Sequence, residues 1–95
     1  MRRRRNPEII AGRVNGDGTI AAGDGFTVQR TSLGNYTITF GPGFRLIAAS
    51  VSAYAAGNTI ATTTGATDRT VGVSTIAGGA AIDVGFTFTA TGVQQ

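Results

Sequence analysis

The sequence predicts an all-β fold: a small antiparallel β-sandwich or jelly-roll-like domain of seven or eight short strands, preceded by an extended basic N-terminal arm. Three observations predict it. Large apolar residues alternate with threonines in three separate segments, the period-two pattern that places one set of side chains on a single sheet face. Fifteen glycines and fifteen threonines in 95 residues make a poor helix former and a ready source of strands and turns. Turn-forming clusters recur at roughly 8–12-residue spacing, as in sandwiches and barrels.

Taken in order, residues 1–8 read as a flexible arginine-rich arm. Arg2, Arg3, Arg4 and Arg5 repel one another, and Pro7 disfavours helix at Asn6. Residues 9–95 form the sandwich domain. Asn15-Gly16-Asp17-Gly18 and Gly23-Asp24-Gly25 are turns flanking a short run at 19–22. Phe26, Val28 and Arg30 alternate with Thr27 and Gln29, and Tyr36, Ile38 and Phe40 alternate with Thr37 and Thr39. Leu33-Gly34-Asn35 joins these two strands as an antiparallel hairpin, and Gly41-Pro42-Gly43 ends the second. Residues 45–54, 59–63 and 69–76 are further strands, with turns at Gly57-Asn58 and Gly78-Gly79. The alanines of 46–56 would also suit a helix. A strand is preferred because serine and valine occupy its middle, although Leu46 and Ile47 must then face opposite sides. Val84, Phe86 and Phe88 alternate with Gly85, Thr87 and Thr89 in the closing strand.

A single domain of this length buries a limited core, and such chains often gain stability by oligomerising, binding metal or forming disulfides. Cysteine and histidine are both absent, which removes disulfides, thiolate zinc sites, cysteine nucleophiles and the commonest general base. Residues 46–67 carry no charge, but Asn58, two glycines, two serines and five threonines are too polar for a spanning helix. The arginine run leads into Asn6-Pro7-Glu8 and not into the apolar core of a signal peptide.

No constellation of catalytic or metal-binding groups emerges, and the expectation is a non-enzymatic protein with no cofactor and no metal. With Gly18 at the invariant glycine of an EF-hand loop, Arg13 would stand where a carboxylate is required and Asp24 where a bidentate glutamate belongs. A turn explains the same residues. Glu8, Asp17, Asp24, Asp68 and Asp83 each lack an acidic neighbour in sequence, and no serine sits in a Gly-x-Ser-x-Gly elbow.

Charge is distributed unevenly. Of eight arginines, four lie at positions 2–5, and the remaining four against five acids leave the body at −1. Guanidiniums on a flexible leader suit carboxylate or phosphate surfaces. Docking on an acidic protein surface is favoured, because the body lacks the basic, aromatic-lined face expected of a nucleic-acid binder. A tail that only aids solubility is the bland alternative. The charge-poor body should present a nearly neutral surface, suited to subunit contacts.

Three runs carry a resemblance: Val14-Asn15-Gly16-Asp17-Gly18-Thr19-Ile20, then Gly25-Phe26-Thr27-Val28-Gln29-Arg30, then Gly34-Asn35-Tyr36-Thr37-Ile38-Thr39-Phe40. With Asp83-Val84-Gly85-Phe86-Thr87-Phe88-Thr89-Ala90 as a closing strand, residues 9–93 resemble a small β-sandwich module of bacteriophage structural proteins, particularly those of phages infecting actinobacteria. The shared features are strands and turns and not a site. The resemblance implies a virion component, either a capsid decoration (minor capsid) protein or a tail-fibre tip module, often trimeric. The chain shows no collagen-like repeat, heptad stretch or shaft, so the expectation is a decoration protein on the capsid surface, made in the host cytoplasm. Its partners would be the major capsid protein and further copies of itself, with no membrane partner. Arg2, Arg3, Arg4, Arg5, Asn6, Pro7, Glu8, Ile9, Ile10 and Arg13 are the expected docking residues. A tail-associated or receptor-binding adhesion module is the alternative, and a structural protein contacting nucleic acid the third reading.

Overall fold

The computed structural model describes residues 7–54 and 59–94; those residues form an all-β sandwich of two antiparallel sheets. The strands are β1 (Pro7–Val14), β2 (Ile20–Ala22), β3 (Phe26–Ser32), β4 (Asn35–Phe40), β5 (Phe44–Ala53), β6 (Thr59–Ala66), β7 (Thr70–Ala77), β8 (Ala80–Ala81) and β9 (Phe86–Gln94). One sheet has the order β2-β1-β9-β5, and the other β3-β4-β7-β6, with β8 pairing the end of β7. First and last strands are thus neighbours, in register from Pro7↔Val93 to Val14↔Phe86.

The alternation read from the sequence builds the core. Tyr36, Ile38 and Phe40 of β4, Val71 and Val73 of β7, and Phe86, Phe88 and Ala90 of β9 are buried between the sheets. All five phenylalanines are buried. Phe26 meets Phe88 edge to face, with ring centroids 4.8 Å apart and planes at 87°. Phe40 bridges Phe44 at 5.1 Å and Phe88 at 6.1 Å. Edge-to-face and tilted pairs of this kind add roughly 0.5–1.5 kcal/mol each beyond area burial.

The β3–β4 hairpin turns through Leu33 and Gly34, with Ser32 opposite Asn35. Gly34 has φ +71°, a left-handed conformation that disfavours any side chain. Residues 44–53 are a strand in which Leu46 faces inward and Ile47 outward, as alternation requires, and a bulge follows. Pairing with β9 jumps from Leu46↔Gly92 to Ala48↔Thr91. Ile47 is the extra residue and stays 64% exposed, while Leu46 is buried. Beyond the bulge the parity flips, so Ala49 and Val51 pack against the core.

Arg30 shares the face of Phe26 and Val28, opposite buried Tyr36, but lies exposed near the end of β3 and pairs there with Asp83. Two expectations need correction. Val84 precedes the closing strand, which starts at Phe86 and runs to Gln94. Pro7 and Glu8 belong to β1 and not to the leader, because pairing with β9 begins at Pro7↔Val93 and Glu8↔Gly92. One threonine also departs from the outward pattern. Thr75 is fully buried, its hydroxyl donating to the Ile82 carbonyl at 2.6 Å, so the burial leaves no unmet hydrogen bond.

Candidate docking surface

Five of the expected docking residues, Pro7, Glu8, Ile9, Ile10 and Arg13, lie on β1; Arg2, Arg3, Arg4, Arg5 and Asn6 lie outside the described residues. Strand alternation divides the five. Ile10 is half-buried and packs against the core, a structural role and not a docking one. Ile9 points outward and is 66% exposed, with exposed Ala11 and half-buried Arg13 following on the same face.

Arg13 is held in place by a residue the sequence did not bring to notice. Its guanidinium lies 4.9 Å from the centre of the Tyr54 ring, and Nη1 donates to the Tyr54 hydroxyl at 3.3 Å. An exposed cation–π contact contributes about 0.5–1 kcal/mol. The contact spans β9, whose neighbours β1 and β5 carry Arg13 and lead into Tyr54; a sequence separation of 41 residues kept it out of view.

Between these flanks the outer face of this sheet is small and uncharged. Register aligns Ile9, Thr91 and Ala48 in one row, Ala11, Thr89 and Ser50 in the next, and Arg13, Thr87 and Ser52 in a third. Ala48, Ala49, Ser50, Thr89 and Thr91 line a shallow open depression there. The opposite sheet likewise presents Thr27, Gln29, Thr37, Thr39, Thr70 and Ser74 outward. These faces offer hydroxyls and methyls, with charge confined to the margins.

Two of the acids, Asp17 and Asp83, are occupied locally. One carboxylate oxygen of Asp83 accepts from the Gly34 N–H at 2.7 Å and the other from Arg30 Nε at 2.8 Å. The Gly34 amide, against some desolvation, and then Arg30 hold this carboxyl below its ordinary pKa. The Tyr36 hydroxyl donates to the Gly16 carbonyl at 2.7 Å, and burial pushes its pKa up. Asp83 therefore clamps the β3–β4 hairpin to the segment entering β9. In the turn after β1, Asp17 accepts from the Thr19 hydroxyl at 2.6 Å and the Thr19 N–H at 3.0 Å, and Gly18 has φ +93°. The turn read from Asn15-Gly16-Asp17-Gly18 is present, and its carboxylate, lowered in pKa chiefly by the Thr19 hydroxyl, bonds within the loop.

No family model, curated protein or solved structure matches the chain. The functional reading rests on the surface.

Proposed function

We propose that this is a non-enzymatic structural protein of a bacteriophage virion, a capsid decoration protein that docks on the major capsid shell through its arginine-rich leader and stabilises it. The observation that carries the reading is the separation of charge from fold: four arginines at positions 2–5 precede a body of net −1. The resemblance of residues 9–93 to phage structural modules supplies the virion setting. The sandwich supports the reading by holding the start of β1 against the last strand, so the leader departs from an anchored point. Its uncharged threonine- and alanine-rich faces suit contacts with neighbouring subunits.

Each leader would act through exposed ion pairs with acidic groups of the shell, individually about 0–1 kcal/mol. Several leaders on one oligomer act at high effective concentration, so weak contacts sum to firm attachment. Binding should weaken as salt rises, since exposed charge pairs are screened.

Co-sedimentation with assembled, DNA-free phage heads tests this, comparing the full chain with a deletion of residues 1–6. The deletion stops before Pro7 because Pro7 and Glu8 pair with β9. Saturable binding by the full chain alone supports docking through the leader. Equal binding by the deletion protein removes the leader from the mechanism. Absence of binding by both favours a tail-associated adhesion module, and steeply salt-dependent DNA binding lost with the deletion favours a nucleic-acid contact.

A further inference from the structure

The first strand is covered on one side only. β9 pairs it along its whole length, from Pro7 to Val14. On the other side, among the described residues, β2 pairs only Arg13 and Val14, and no described strand pairs that side of Pro7, Ile9 or Ala11.

Which backbone groups face that open side follows from alternation. Arg13 pairs with Ala22, and the Asn15 N–H donates to the Thr19 carbonyl at 2.8 Å across the same hairpin. A β-carbon built on Gly23 would fall 2.5 Å from the Ala11 carbonyl oxygen, so that carbonyl also points toward β2. Conversely, one built on Gly85 would lie 3.1 Å from the Val14 carbonyl oxygen, which therefore points toward β9. Odd-numbered residues of β1 thus direct their N–H and C=O groups to the open side. Among the described residues no strand takes up the Pro7 carbonyl, the Ile9 N–H and carbonyl, or the Ala11 N–H on that side. Two groups are missing from a full set. Pro7 has no N–H, and the Ala11 carbonyl is closed off by Gly23.

We propose that this edge pairs with the same edge of a second copy, antiparallel about a two-fold axis at Ile9. In that register Ile9 faces Ile9 of the second copy, and Pro7 faces Ala11. The two Ile9 residues exchange both their N–H and C=O groups, and each Ala11 N–H donates to the Pro7 carbonyl opposite. The absent Pro7 N–H falls opposite the Ala11 carbonyl that Gly23 already covers, so the two gaps in the edge meet each other. A strand from an unrelated protein would present an N–H to that blocked carbonyl; a second copy does not.

The side chains agree with the backbone. Ile9 is 66% exposed in the single chain, and the two-fold brings the pair of Ile9 side chains alongside one another, with α-carbons about 5.5 Å apart. The two β2-β1-β9-β5 sheets join into one. The leaders leave from opposite ends of the pairing, so the arginines at 2–5 of the two copies start apart. Of the other edges, β5 already spends its Leu46 N–H on the Asp68 carbonyl at 2.7 Å, and β6 carries a register shift between Thr63 and Gly65, a device that blunts edge pairing. The pairing closes on two copies and not on the three that the phage resemblance implies.

Sedimentation equilibrium of the purified protein, with no shell present, tests this separately from the docking role. The full chain should show twice the chain mass. Ile9→Lys, which sets two ammonium groups side by side at the axis, and Ile9→Pro, which removes the donor facing the open edge, should each reduce the mass to that of one chain. Their far-ultraviolet circular dichroism should be unchanged, because Ile9 is exposed and its N–H faces away from β9. The chain has no cysteine, so Ile9→Cys should form a disulfide-linked dimer on mild oxidation, whereas Thr27→Cys on the opposite sheet should not. A wild-type monomer, a trimer, or an oligomer unaffected by folded Ile9→Lys would each overturn the proposal.

Discussion

A β-carbon at Gly12 would collide with the rings of both Phe26 and Phe88. Gly12 is therefore the gap into which the aromatic pair at the centre of the sandwich settles, and its lack of a side chain is a packing requirement of β1. Gly12→Val should destabilise by about 1–3 kcal/mol through overpacking, seen as a lower midpoint in urea with little change in slope. Asp83 gives a second residue-scale prediction. Its folded pKa is lowered, first by the Gly34 N–H and then by Arg30, so its stabilising contribution is complete above the ordinary carboxylate pKa. It is lost as pH falls through the lowered value. Thermal melts in acid should show the wild type losing stability faster than Asp83→Asn as pH drops below that range. Parallel acid limbs would show that the clamp does not contribute.

At the scale of elements, β5 offers a contrast between adjacent residues. Leu46 is buried and Ile47, the bulge residue, is 64% exposed. Leu46→Ala should cost about 2–5 kcal/mol, and Ile47→Ala should stay within about 0.5 kcal/mol; chemical denaturation of the two variants measures both. The strands themselves were readable because their inward residues are large and their outward residues are mostly threonine, as in β4 and β9. The β3–β4 hairpin was readable from Gly34. What escaped was set by long-range geometry. The bulge at Ile47 depends on pairing with Thr91 and Gly92, and the ion pair that takes up Arg30 depends on Asp83, 53 residues away. The two-residue β8 and three-residue β2 are too short for periodicity to register.

For the whole molecule, the unequal division of charge was evident from the sequence alone. The pairing of β1 with β9 was not, because nothing local announces that the first strand joins the last. That pairing changes how the expected docking residues are grouped. Pro7, Glu8 and Ile10 help build the sheet, Arg13 rests on Tyr54, and Ile9 remains exposed on the open edge. Of the arginines proposed for docking, the four at positions 2–5 then lie upstream of Pro7. The most direct measurement is co-sedimentation with DNA-free heads of the wild type and a variant with Arg2, Arg3, Arg4 and Arg5 all changed to Gln. Saturable binding by the wild type, lost in the variant at an unchanged melting temperature, is the expected result. Equal saturable binding by both proteins would contradict docking through the arginine leader.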